Sequence, residues 1–245
     1  MYFLVIIRSN EKRAIMIGII GAMSLEINGL LKLMSNKTKK KISGVDFHLG
    51  LINGKEVAIA KCGVGKVAAA YCTQAMIMEY KPSLIINTGV AGGIADVLEV
   101  EDIVIASDLV QHDLDTTILG DILGMIPGIN RIHIPCSKKA IKSFSLCAEN
   151  LGYPYYVGRI ASGDQFISSK EKIKYIADNF HALACEMEGA AIAQVCYMNK
   201  VDVIVIRSIS DKADEKSLFD FLSFAKRAAK KSINLLLEFL KRQES

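Results

Sequence analysis

An unbroken apolar run over residues 15–20 ends at Gly21, and from Ser24 onward Leu25, Leu30, Leu31 and Met34 recur at near-helical spacing. That pattern predicts a buried strand, a tight loop and a helix. Residues 45–52 and 55–60 read as strands flanking Asn53-Gly54, a dipeptide that supplies positive φ at both centres of a two-residue hairpin turn. Gly63-Val64-Gly65 then opens an Ala-rich helix that reaches Met78 and stops at Lys81-Pro82. Apolar runs predict further strands over 84–87, followed by a loop over 88–94, and over 103–107, 155–161, 183–187 and 201–206. Helical spacing predicts helices over 138–151, 169–179 and 189–197, and a long amphipathic one over 219–240.

Strands that alternate with helices, several of them continuously apolar, belong to a sheet covered on both faces. The expected fold is therefore α/β, a three-layer α/β/α sandwich with a mixed, largely parallel central sheet. A single domain over residues 16–245 accommodates every predicted element, which leaves 1–15 as an N-terminal extension or the product of a misassigned start. Residues 113–135 carry no clear periodicity, and a connection that long is expected to be functional or to form an interface.

Composition narrows the class. Of 245 residues 51% are hydrophobic, with 18 Gly and 4 Pro, which excludes a disordered or fibrous chain. The net charge of +4 includes Lys clusters within 37–41 and 226–231. Without interleaved aromatic residues these read as solvated loop or helix surface, not as a nucleic-acid interface. The six cysteines form no CxxC pair and read as small core residues in a reducing, cytoplasmic setting. Four scattered histidines offer no clustered ligand set, so no metal is expected. The apolar run 2–7 is too short to span a bilayer and lacks the frame of an export signal, so no membrane association is expected.

In a sheet of this kind ligands bind beyond the carboxyl ends of the strands. The predicted exits deliver residues 21–26, 63–66, 89–93, 162–167, 186–188 and 207–214. Gly63-Val64-Gly65-Lys66-Val67-Ala68 fits a dinucleotide fingerprint, but the next strand ends in Asn87-Thr88-Gly89 and lacks the acid that would hold a ribose. The carboxylates at these exits each have an ordinary reading as well. Glu26 could complement a helix N-terminus, and Asp211 and Asp214 could cap or brace a loop. Glu186 and Glu188 fall two apart at a strand-to-helix junction, where strand alternation would send both the same way and like charges would demand a cationic or hydroxyl partner. Their joint appearance on one sheet edge beside Gly-rich loops points to an active site.

At these residues the chain resembles the 5′-methylthioadenosine/S-adenosylhomocysteine nucleosidases of the nucleoside phosphorylase superfamily. The resemblance runs from about Met16 to the C-terminus. It is carried by Ile17-Gly18-Ile19-Ile20-Gly21-Ala22-Met23 with Glu26, by the Gly63 to Ala70 segment, and by Asn87-Thr88-Gly89-Val90-Ala91-Gly92-Gly93. Further on it is carried by Ser162-Gly163-Asp164-Gln165-Phe166-Ile167, Glu186-Met187-Glu188 and Ile209-Ser210-Asp211. The resemblance implies that Glu26 activates water, that Asp211 protonates adenine at N7, and that Glu188 holds the ribose hydroxyls with Met187 beside the sugar. It implies that Phe166 stacks on the base, that the Ile167 backbone reads its edge, and that Arg207 orients Glu188. Met23, Val64, Val90 and Phe221 would line the pocket. No cofactor is implied, the partners are small adenine nucleosides, and a homodimer is expected, with residues 113–128 as the candidate contribution to the neighbouring subunit.

Elementary chemistry agrees with that reading. Adenine leaves poorly as an anion, so a carboxylic acid that protonates it lowers the barrier, and neighbouring carboxylate charge stabilises an oxocarbenium-like ribose. Phosphate would need a cationic nest, yet Gly21-Ala22-Met23-Ser24-Leu25-Glu26 offers none and an anionic Glu26 would repel it. Hydrolysis is thus favoured over a phosphate-dependent nucleoside phosphorylase. A non-catalytic nucleoside binder is disfavoured by the presence of all three acids. Val90 stands where many members have Ser, and Leu119, Asp121 and Leu123 lie in a stretch often richer in aromatics. The 5′ preference, 5′-deoxyadenosine included, is therefore open.

Overall fold

The computed structural model describes residues 16–213 and 217–243. The expectations for 1–15 and for Asp214 lie outside the described residues. The first turn of the fold follows its apolar pattern: β1 (Ile17–Gly21) is buried throughout, and α1 (Ser24–Leu33) leaves it after two residues. β3 (Val45–Ile52) and β4 (Lys55–Lys61) form the expected hairpin, with φ of 49° at Asn53 and 75° at Gly54, the two left-handed positions of a primed turn. Ahead of it lies β2 (Ser35–Ile42), which was not expected. Its sequence SNKTKKKI is exposed almost throughout, so no apolar alternation marks it, and the first Lys cluster belongs to this strand and not to a loop or helix. A lysine-rich edge strand discourages pairing with other chains.

The remaining elements are α2 (Lys66–Tyr80), β5 (Leu84–Gly93), β6 (Ile103–Gln111), β7 (Ile134–Pro135), α3 (Lys138–Leu151), β8 (Tyr155–Ser162), α4 (Lys170–Phe180), β9 (Ala184–Glu186), α5 (Gly189–Asn199), β10 (Asp202–Asp211) and α6 (Ser217–Arg242). β5, β6 and β10 run well past the ends that apolar content predicts. The stretch expected as a loop over 88–94 is mostly strand, because the small residues Thr88 to Gly93 pair with β10 on one side and β9 on the other.

The sheet is mixed, as expected. Its centre is parallel, with β1 between β4 and β5 and β5 beside β10, and the β2–β3–β4 meander is antiparallel. The strand order β10-β6-β8-β9-β5 returns on itself through the β5–β10 pairing, so one end of the sheet curls into a closed ring of five strands. No sequence period announces that closure. α1, α3 and α6 pack together on one side, where Phe144 and Phe239 stack at 4.2 Å between α3 and α6. α2 and α5 pack against each other elsewhere on the sheet. Ile19, Ile59, Ile85 and Ile204 fill the middle.

Among the described residues no helix is long and apolar enough to cross a membrane. All six cysteines are free, five of them buried.

Candidate active site

A cavity of about 400 Å³ opens where β1, β5, β9 and β10 end. Ten of the eleven residues expected from sequence line it: Glu26, Asp211, Glu188, Met187, Phe166, Ile167, Met23, Val64, Val90 and Phe221. The eleventh, Arg207, lies buried behind the wall. Among the described residues the wall carries no Lys or Arg, and no group of His, Cys, Asp and Glu is arranged to hold a metal ion.

Glu26 sits in the first turn of α1 and folds back over it. One carboxylate oxygen accepts from the Ala22 amide at 2.7 Å and the Met23 amide at 2.8 Å, and the other accepts from the Val90 amide at 3.2 Å. The helix-capping role and a role in the cavity therefore coexist in one side chain. Burial raises its pKa, against the opposing pull of Arg207 and the three amides, so this carboxylate holds a proton more readily than an exposed one.

Glu186 and Glu188 do not point the same way, because the start of α5 intervenes. Glu186 turns back and accepts from the amides of Glu188 at 3.1 Å and Gly189 at 2.8 Å. It also takes the Ser162 hydroxyl and the Arg207 guanidinium, which supply the hydroxyl and cationic partners that a second acid here requires. Glu188 reaches across the cavity instead and accepts from the Gly65 amide at 2.8 Å. Burial, and next the charge of Glu186, push the Glu188 pKa up to about 7, with Arg207 pulling the other way. Arg207 was expected to orient Glu188, but its ion pair is with Glu186, and it acts on Glu188 and Glu26 only through its charge. Its remaining bonds reach Asn87 and the Ile206 carbonyl. Burial works against the Arg207 charge, yet Glu186, Glu26 and Glu188 keep its pKa above the usual value.

Asp211 owes its place to a break in register. Ile209 pairs with Ala91 and Asp211 with Gly92, so Ser210 is the extra residue of a bulge, a device that re-aims a side chain at a strand end. Ser210 and Asp211 both line the cavity. Asp211 accepts from the Ala213 amide at 2.9 Å and from the Ser210 hydroxyl at 2.8 Å, and that hydroxyl can turn to suit either protonation state of the acid.

The far wall is aromatic. Phe166 and Phe221 meet edge to face with centroids 5.8 Å apart, and Phe166 is half-exposed at the mouth. Val90 packs with Met23, Leu25, Phe221 and Ala228. The cavity thus combines four carboxylates, those of Glu26, Glu186, Glu188 and Asp211, with apolar walls suited to a flat heterocycle and an apolar substituent.

Sequence reasoning left out Glu186, Ser210, Cys185 and Gln165 as site residues, although all line the cavity. Glu186 was visible as one of a carboxylate pair, but its pairing with Arg207 depends on β9 and β10 meeting in space. Cys185 gave no signal beyond its apolar surroundings.

The phosphorylase superfamily profile matches residues 16–241. The 5′-methylthioadenosine/S-adenosylhomocysteine nucleosidase of Haemophilus influenzae (strain PittEE) is 42% identical over 227 residues, covering 92% of this chain and 99% of that one. The corresponding protein of Shewanella loihica is 40% identical, with 92% and 98% covered. Among solved structures, the nucleosidase of Neisseria meningitidis in complex with methylthio-immucillin-A is similar at a TM-score of 0.90 and 35% identity, with 93% and 99% covered. Futalosine hydrolase of Helicobacter pylori is similar at 0.90 and 35%, with 94% and 99% covered.

Proposed function

We propose the following chemistry for a chain that belongs to the phosphorylase superfamily and, within it, to the 5′-methylthioadenosine/S-adenosylhomocysteine nucleosidases. It hydrolyses the N-ribosyl bond of 5′-methylthioadenosine and S-adenosylhomocysteine and releases adenine. The observation that carries the assignment of roles is the convergence of Glu26, Glu188 and Asp211 on one cavity with a different set of partners for each.

Phe166 stacks on the purine, the Ile167 backbone reads its edge, and Asp211 gives its proton to N7 as the bond to the ribose carbon breaks. The electron pair of that bond leaves with adenine, and the sugar becomes oxocarbenium-like. Glu188 holds the ribose hydroxyls, and its negative charge opposes the growing positive charge. Glu26 orients a water molecule against the sugar and takes its proton as oxygen bonds to carbon. The raised pKa of Glu26 makes it a better proton acceptor at neutral pH than an exposed carboxylate. Met187 and Met23 flank the sugar, and Val64, Val90 and Phe221 form the apolar wall.

Water is the acceptor, not phosphate. The amides of Ala22, Met23 and Val90 are already taken by Glu26, and the buried Arg207 guanidinium behind the wall is engaged by Glu186. Among the described residues an incoming dianion would meet carboxylates without a free cation in the wall.

The chain acts as a homodimer in the cytoplasm. Ile118 and Leu119, 94% and 79% exposed, and Ile122 beside them form an apolar surface in the 113–128 segment of a kind that marks interaction sites. Six free cysteines suit a reducing compartment.

The test is adenine release from methylthioadenosine, S-adenosylhomocysteine and 5′-deoxyadenosine, followed by chromatography with and without phosphate. Release at the same rate in both conditions is expected. A requirement for phosphate would make the protein a phosphorylase, and tight binding without release would make it a binder.

A further inference from the structure

In the Gly63-Val64-Gly65-Lys66 turn Val64 lines the cavity and Gly65 holds Glu188. Lys66 has no part in the reaction as described so far, yet four bonds meet at this turn. Gly65, with φ of 99°, directs its amide to Glu188 at 2.8 Å. The next amide, that of Lys66, is held by Asp164 Oδ1 at 2.7 Å. The Lys66 ammonium group reaches Asp113 Oδ1 at 2.6 Å and Gln111 Oε1 at 3.0 Å. The other oxygen of Asp113 accepts from the Asp164 amide at 2.9 Å. Lys66, Asp113 and Asp164 therefore close a ring of three contacts that joins α2, the end of β6 and the loop carrying Phe166.

We propose that Lys66 is a positioning residue: its amide and its ammonium group together tie the Phe166 loop and the turn that holds Glu188 to Asp113, where the 113–128 segment begins. This rests on the nucleosidase reading of the cavity. The ring is partly shielded from solvent, with side-chain exposures of 18% at Lys66 and 22% at Asp113, so its ion pair is less screened than a surface pair. Although burial opposes it, Lys66 and the Asp164 amide hold Asp113 below the usual carboxylate range.

The position of the ring predicts which kinetic constant it governs. Asp211 is bonded to Ser210 and Ala213, and Glu26 to Ala22, Met23 and Val90. None of these belongs to the ring. Loosening the ring slackens the walls that grip base and ribose, while proton donation and water activation keep their geometry and the Glu188 charge stays in the cavity. A loss shared by ground state and transition state appears in KM with little change in kcat.

The experiment compares Lys66→Met, Lys66→Arg, Asp113→Asn and the Lys66→Met/Asp113→Asn double variant with the parent, each first checked for a parental circular dichroism spectrum. Lys66→Met is expected to raise KM for methylthioadenosine about tenfold with kcat within about threefold, and Lys66→Arg to recover part of the loss. The double variant should be no worse than the poorer single one, because both break the same ring. KM within twofold of the parent in both Lys66→Met and Asp113→Asn, or effects that multiply in the double variant, would overturn the proposal. Adenine dissociation constants are measured by calorimetry on the parent and the same four variants. If the parent releases no adenine, the nucleosidase reading fails, and an unchanged adenine affinity in Lys66→Met would still refute the role of Lys66 separately.

Discussion

The guanidinium of Arg207 meets the carboxylate of Glu186 beneath the cavity floor, with side chains only 2% and 3% exposed. Both members of the pair bear on the other acids. Burial makes Glu26 and Glu188 hold their protons more tightly than usual, the charge of Glu186 adds to the effect at Glu188, and Arg207, bonded to Glu186, opposes it at both through its charge. A buried pair is costly to halve, because the survivor is left charged and unpaired in a low-dielectric interior.

Glu186→Ala or Arg207→Met should each destabilise the protein by about 3–5 kcal/mol. The double replacement Glu186→Leu/Arg207→Met should cost markedly less than either single change, since no charge is stranded. Urea unfolding of the three variants checks this. Additive losses in the double variant would mean that the two side chains act independently.

The titration of Glu188 gives a pH prediction of definite sign. Its pKa is about 7 in the fold against an ordinary 4.5, so the folded chain binds the proton more tightly than the unfolded chain. The resulting stabilisation is complete below about pH 4.5 and is lost as pH rises to about 7, by roughly 3 kcal/mol at 1.36 kcal/mol per unit. Glu26 shifts in the same direction. Carboxylates held low, such as Asp113, act oppositely, so the quantity to measure is the stability of the parent minus that of Glu188→Gln across pH 4 to 8. That difference should fall with rising pH, and a flat or rising difference would refute a raised Glu188 pKa.

Much of this was legible in the chain, and the limits have physical causes. The hairpin at Asn53-Gly54, the 138–151 helix and the strand exits follow from local signals: turn chemistry, period and apolar runs. β2 escaped because an edge strand exposed on both sides has no apolar face to display. Glu26, Glu188 and Asp211 were legible as acids at sheet exits. The partner of Arg207 was not, because the choice between Glu186 and Glu188 turns on how α5 begins. Nor was the Ser210 bulge, which exists only in the register between β10 and β5.

Asp211→Asn removes the proposed proton donor while keeping shape and the ability to accept from the Ala213 amide. General acid catalysis contributes about two to four powers of ten, so kcat should fall by that range with nucleoside affinity largely retained. Single-turnover adenine release, together with calorimetric binding of methylthioadenosine, separates the two. Loss of folding in parallel with activity would return Asp211 to a bracing role in β10.

Gly89 offers a way to move Glu26 without touching it. A Cβ built at position 89 would fall on Glu26 Oε1 and lie 3.0 Å from its Cδ, whereas Gly89 has no positive φ that would strain an alanine. The side chain of Glu26 is the flexible party, so it must swing away and give up its 3.2 Å bond from the Val90 amide. The capping bonds to Ala22 and Met23 tie the other oxygen to the start of α1, which limits the swing. Loss of one such bond costs about 1 kcal/mol of stability, but a misplacement near 1 Å costs about a hundredfold in rate when geometry matters. Gly89→Ala should therefore lower kcat by about ten- to a hundredfold while the melting temperature drops by only a few degrees. A variant with parental kcat would count against the proposed water-activating role and leave Glu26 a helix cap.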